Sequence, residues 1–143
     1  MRISLFHLKQ PRIALCGLNP HAGENGLLGK EEQEILIPAI NAAQKNAVNV
    51  TGPYPADTVF WKARNNHFDG VIALYHDQGA IPVKVLDFDH GVNMTLGIPF
   101  IRTSPDHGTA FDIAWQNKAN PKSMITATKM ALSILFSRLQ KIE

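Results

Sequence analysis

What this sequence lacks narrows the field first. Its 143 residues hold one cysteine, Cys16, so no disulfide framework exists, and Cys16 in the apolar run RIALCG reads as a small buried hydrophobe. No apolar run reaches membrane-spanning length, and the opening MRISLFHLKQ is too short and too polar for a signal peptide. The expected setting is therefore the cytoplasm. Charge of one sign is also missing: 14 Lys and Arg against 12 Asp and Glu give +2, without a basic block or interleaved aromatics, which argues against nucleic acid as a partner. Aromatics are few, at 8%, while hydrophobic residues reach 45%, an ordinary globular balance. The length fits one α/β domain over residues 1–143 that can bury a real core.

What is present alternates between strand and helix. RIALCG at 12–17 and GVIALY at 70–75 read as buried strands of the parallel kind, VNVTG at 48–52 as a short strand, and IPFIRT at 98–103 as a further one. From Lys30 the pattern becomes helical, with Ile35, Ala39, Ile40 and Ala43 on one face and Glu31, Glu32 and Glu34 loading the positive end of the helix dipole; Pro38 bends it. A second helix starts near Pro55 or Ala56. A long amphipathic helix closes the chain, with Asn120 as N-cap and Pro121 in its first position. This alternation predicts an α/β fold, a parallel-rich sheet flanked by helices on both faces.

The glycine-rich stretch GLNPHAGENGLLGKEE, 17–32, resembles a phosphate cradle but fails the nucleotide signatures. Glu24 stands where a P-loop needs its first glycine, Glu31 follows Lys30 in place of Ser or Thr, and Asn19 replaces the second Rossmann glycine. DFDHG at 87–91 lacks calcium-loop spacing. The glycines therefore shape a turn, and the side chain of interest is His21. His21 follows one predicted strand and His76 another, so in a parallel sheet both lie on the ligand-binding edge. Asp77 adjoins His76, and Asp57 starts a nearby helix. Two imidazoles with carboxylates suit a divalent metal or an acid–base pair, against the bland reading of two unrelated surface histidines. A metal site needs about three protein ligands, so a third must come from a partner chain or from more sequence than these residues. His7, His67 and His90 read as surface residues. Lys84, Asn93 and Arg102 suit a phosphorylated or carboxylated small molecule.

Four ordered blocks, GLNPHAGE, GPYPADT, YHDQGAIPVK and GVNMTLGIPFIRTSPDHGTAFDIA, resemble the carboxyl-terminal half of the 4-hydroxythreonine-4-phosphate dehydrogenase family of vitamin B6 biosynthesis, from about Pro11 to the last helix. DHGTAFDIAWQNKANP is similar to the cofactor loop of the related isocitrate and isopropylmalate dehydrogenases, whose fold the chain is then expected to share in half. The resemblance implies a cytoplasmic oxidoreductase using NAD or NADP and a divalent metal (zinc, magnesium or cobalt). It would oxidise a 3-hydroxyl to a ketone, with decarboxylation following in the pyridoxal phosphate pathway. By position, His21 and His76 match metal ligands. Lys84, Asn93 and Arg102 match substrate-holding residues, and His107, Gly108, Thr109, Ala110 and Asp112 line the adenosine side of the cofactor. Asp57 and Asp77 would orient water or accept a proton. Family members are about twice as long, and the amino-terminal half, which brings the third metal histidine, is absent here. The resemblance thus predicts a homodimer-forming half that is inactive unless another chain supplies the rest. NPHAGENGLLG and FDIAW lean towards the sister branch acting on 4-phospho-D-threonate or 4-phospho-D-erythronate. A non-catalytic remnant that only folds and dimerises is the third expectation.

Overall fold

The computed structural model describes residues 8–139, so the expectation for His7 lies outside the described residues. Two compact units divide at Pro82 and Val83.

The first unit is built on a three-stranded parallel sheet in the order β2-β1-β3, with β1 at Ile13–Cys16, β2 at Val50–Tyr54 and β3 at Gly70–Ile72. Alternation along the central strand sends its side chains to opposite faces. Ala14 and Cys16 pack with Val59 of helix α2 (Ala56–Arg64), flanked by Tyr54, Phe60, Phe68 and Val71. Leu15 packs on the other face with Val50 and with Ile40 of helix α1 (Ile37–Lys45), beside Leu36, Ala43 and Leu74. β1 is therefore buried on both faces, which is why its sequence is continuously apolar. Burial pushes the Cys16 thiol up, as expected for a residue that packs rather than reacts.

Several boundaries differ from those the sequence suggests. The strand expected at 70–75 ends at Ile72, because the Leu74 amide turns away and donates to the Gln78 Oε1 at 2.7 Å. The HDQG stretch that follows opens helix α3 (His76–Asp87), which carries Pro82 internally. Ile35 and Ala39 do not join the core face: Ile35 is 60% exposed, while Leu36, Ile40 and Ala43 face inward. For Ile35 the cause is a π-helical segment, Glu32–Leu36, which contains it and ends two residues before Pro38. A π turn spends one extra residue and rotates everything before it relative to an α-helical wheel. Pro38, without an N–H, sits at that seam instead of bending a continuous helix.

In the second unit β4 (Val92–Thr95) and β5 (Arg102–Pro105) form an antiparallel pair, with Thr95 opposite Arg102 and Asn93 opposite Ser104. The strand expected at 98–103 is displaced towards the carboxyl end. Its length is set by β4, and Pro99 and Gly97, at φ +87°, belong to the connection. β4 itself gives no strong sequence signal. Helix α4 (Lys122–Leu139) packs on this ribbon: Thr103 Oγ1 donates to the Ala127 carbonyl at 3.0 Å, and Ser123 Oγ to the Gly91 carbonyl at 2.6 Å. Asn120 caps it as expected, its Oδ1 accepting the Lys122 amide at 3.1 Å with Pro121 between them. Ser123, Ala127 and Ile134 form the buried stripe. Met124, Ile125, Leu132, Leu135, Phe136 and Leu139 remain exposed, so the helix is apolar well beyond that stripe. Among the described residues no helix is long and apolar enough to cross a membrane.

Candidate functional site

In the first unit, the parallel strands deliver three loops to one edge. Leu18–His21 follows β1, Ala56 and Asp57 follow β2, and Tyr75 and Gln78 follow β3. Together these residues line a cleft of about 240 Å³. The carboxyl edge of a parallel sheet collects ligand-binding groups because every βα turn ends there. Asp57 sits in the first turn of α2. His76 and Asp77 open α3, between the cleft residues Tyr75 and Gln78.

Both histidines are braced by a carboxylate. His76 Nδ1 donates to Asp77 Oδ1 at 2.7 Å, and His21 Nδ1 faces Glu24 Oε2 at 3.4 Å. A carboxylate can only accept, so Nδ1 faces it as the donor side and Nε2 is the nitrogen left for another partner. This is the bracing that metal-ligating histidines use. The donor chemistry therefore fits a divalent metal. Among the described residues, however, no three His, Cys, Asp or Glu side chains gather closely enough to hold one.

His21 stands on unusual backbone. Residues His21, Ala22, Gly23, Glu24 and Asn25 all have positive φ, between 43° and 78°, forming a left-handed turn within Pro20–Gly26. L-residues avoid this region at a cost of about 1–2 kcal/mol each, so the surroundings must enforce it. They do so through Glu32. Its buried carboxylate accepts the Leu18 and Asn19 amides, each at 2.8 Å, and the Asn19 side-chain amide at 2.9 Å; Glu31 holds the same Asn19 amide at 2.7 Å. Burial pushes the Glu32 carboxyl up, but the hydrogen bonds from Asn19 and Leu18 outweigh it and leave it below the ordinary value. Gly23 is required here, because a Cβ would lie 2.5 Å from Glu32 Oε2. The glycine-rich stretch thus closes around the protein's own buried carboxylate.

Buried Gln78 ties the edge together, donating to the Gly17 carbonyl at 2.7 Å while accepting the Leu74 amide. Glu32, Gln78, Asn19 and Tyr75 are the residues that sequence reasoning missed at this edge. Glu32 reads locally as one of three first-turn glutamates, and nothing in its neighbours marks it as buried.

The second unit holds the remaining expected residues. Asn93 and Arg102 project from the same face of the β4–β5 ribbon, since 93, 95, 102 and 104 alternate together. That face is opposite the one carrying Thr103, which meets α4. Arg102 is exposed, its guanidinium Nη1 donating to Thr95 Oγ1 at 3.0 Å. Lys84 lies on α3, half-buried. His107, Gly108 and Ala110 line a pocket of about 330 Å³ with Phe88, Ile113 and Ala119, whose polar groups come from Asp89, Asn120 and Ser123. His107 Nδ1 donates to the Gly108 carbonyl at 3.0 Å. Lys122 Nζ and the Asn120 side-chain amide both reach Asp89, each at 2.9 Å, so the α4 cap and one pocket wall are one network. A largely apolar pocket of this size, with a few convergent polar groups, suits the flat heterocycle of a dinucleotide. Thr109 and Asp112 are exposed and do not line it. Asp89 and Asn120 were not foreseen as pocket residues, although Asn120 carried a signal as a cap.

The class these features define is an α/β protein with a ligand edge on parallel strands. Residues 2–131 match the family described as pyridoxal phosphate biosynthetic protein PdxA, and the chain belongs to that family. It is 56% identical over 126 residues to a 4-hydroxythreonine-4-phosphate dehydrogenase of Desulforapulum autotrophicum, covering 88% of this chain and 37% of the relative. It is 58% identical over 125 residues to a D-threonate 4-phosphate dehydrogenase of Salmonella typhimurium, covering 87% and 38%. The crystal structure of 4-hydroxythreonine-4-phosphate dehydrogenase from Klebsiella pneumoniae superposes with a TM-score of 0.82 at 55% identity, over 92% of this chain and 40% of that one. The chain therefore spans about two-fifths of the length of these relatives.

Proposed function

We propose that the chain is the carboxyl-terminal part of an NAD- or NADP-dependent, metal-dependent dehydrogenase that oxidises the 3-hydroxyl of 4-hydroxythreonine 4-phosphate, with decarboxylation following, in cytoplasmic pyridoxal phosphate biosynthesis. The observation that carries this reading is the cleft at the carboxyl edge of the parallel sheet, lined by His21 and Asp57, in a chain of this family. His21 and His76 would hold the metal through Nε2. When bound, zinc, magnesium or cobalt and the dinucleotide supply Lewis-acid polarisation of the substrate oxygen and a hydride acceptor. Asp57 and Asp77 orient water or accept the hydroxyl proton. Arg102 and Asn93, sharing one ribbon face, hold the phosphate or carboxylate end, with Lys84 as a further cation. His107, Gly108 and Ala110 line the pocket proposed for the adenosine, with Thr109 and Asp112 nearby in sequence but outside its lining. The exposed apolar face of α4 supports a homodimer, and a third metal ligand would come from residues beyond these 143 or from another chain.

A second reading is favoured by the similarity to D-threonate 4-phosphate dehydrogenase, at 58% identity: a substrate with a hydroxyl where the first carries an amine. NADH or NADPH formation with each substrate, in the presence of zinc, magnesium or cobalt, separates the two branches. Alone, the 143 residues are expected to bind zinc weakly and turn over neither substrate. Zinc calorimetry on the chain and on a His21→Ala/His76→Ala variant tests the ligand assignment, and equal affinity in both overturns it.

A further inference from the structure

We infer that Glu32 is a positioning residue for the cleft: its buried carboxylate holds His21 in place by forcing the backbone of Pro20–Gly26 into a left-handed turn. This deepens the proposed function, because it says how one of the two metal-binding candidates is aimed. Glu32 is not itself among the residues that line the cleft. It acts through the amides of Leu18 and Asn19 and through the Asn19 side chain, two to three residues before His21. Three features make the charge, and not only the bulk, necessary. All three partners are N–H donors, so the side chain must present acceptors only; a glutamine would turn its own NH2 towards a donor. Glu32 is only 2% exposed, so water cannot replace a lost partner. The loop is also shaped to the carboxylate: Gly23 passes too close for any Cβ, and Gly17 lies against Ala22, whose Cα would be 2.8 Å from a Cβ there. Several non-glycine residues in left-handed conformation do not hold that shape unaided, and Glu32 is the group at the centre of the turn.

The test uses the 143-residue chain with Glu32→Gln, read first without metal. Inside the turn, the Leu27 and Leu28 amides donate to the Glu24 and Gly23 carbonyls, while Ile13 and Gly17 donate across the sheet to Asn49 and Tyr54. Hydrogen exchange at Leu27 and Leu28 should speed up about tenfold in Glu32→Gln while Ile13 keeps its protection. Where Glu32→Gln does not fold, Asn19→Ala, which removes only the side-chain amide, should give the same selective loss by a smaller factor. Zinc affinity should fall on the order of tenfold with Glu32→Gln, as for removal of an outer-shell partner, and not with Ile40→Val, a core change of similar destabilisation. Unchanged exchange at Leu27 and Leu28, or equal acceleration at Ile13, overturns the positioning role. Selective acceleration together with zinc binding that ignores His21→Ala would leave the positioning role standing and overturn the metal reading alone.

Discussion

Gly23→Ala should be among the more damaging single-methyl additions in this chain. At φ +78° an alanine pays the left-handed penalty, about 1–2 kcal/mol. Its Cβ would also stand 2.5 Å from Glu32 Oε2 and 3.1 Å from the Gly29 carbonyl oxygen. The carboxylate cannot swing away freely, because it already holds three N–H groups; losing one charged hydrogen bond costs roughly 1–3 kcal/mol. The combined loss, about 2–5 kcal/mol, corresponds to a fall in melting temperature of roughly 5–15 °C for a chain of this size. Gly108→Ala is the matched control, since nothing lies within 4 Å of a Cβ there. It should leave the melt within about 2 °C of the parent, a surface-type effect, while weakening dinucleotide binding if the 330 Å³ pocket is the adenosine site. Melting followed by far-ultraviolet circular dichroism decides the matter. A Gly23→Ala protein that melts with the parent would refute the left-handed, carboxylate-filled turn, and an equal drop for Gly108→Ala would refute the geometric argument.

Arg102→Ala should change stability by no more than about 0.5 kcal/mol, because the exposed guanidinium meets only Thr95 among the described residues. In a full-length family context it should weaken binding of the phosphorylated substrate strongly, and calorimetry with that substrate checks it; a large stability loss with unaltered binding would show a structural role. Asp69 gives a pH prediction. Hydrogen bonds from the Arg12 side chain, then from its backbone amide, bring the carboxyl from an ordinary 3.8 down to about 2. The folded-state value is the lower one, so the contribution of ionised Asp69 is present above pH 3.8 and lost as pH falls towards 2. A carboxyl carbon titration by NMR should show that midpoint, and Asp69→Asn should remove this part of the acid sensitivity.

Local chemistry alone determined much of this protein. The apolar run at β1, the Asn120–Pro121 cap and the start of α2 beside Asp57 depend on residues a few positions apart, and each appears where the sequence predicts it. The mismatch of 17–32 with the nucleotide-loop motifs was equally legible, because those motifs require glycine or hydroxyl at fixed spacings. The four ordered blocks carried the family, since they specify a site and not merely a fold.

Only the tertiary structure decided the rest, and each case involves a partner distant along the chain. The burial of Glu32 depends on the amides of Leu18 and Asn19, 14 and 13 residues away, so the side chain looked like a solvated first-turn glutamate. Ile35 turned outward because one π turn shifted the helical phase, and hydrophobic periodicity assumes an unbroken 3.6-residue repeat. The limits of β5, and the shared face of Asn93 and Arg102, follow from the antiparallel register with β4, which neither segment encodes by itself. Sequence specifies which groups the chemistry needs; which of them face the same space is fixed by pairing and packing between segments that only the fold brings together.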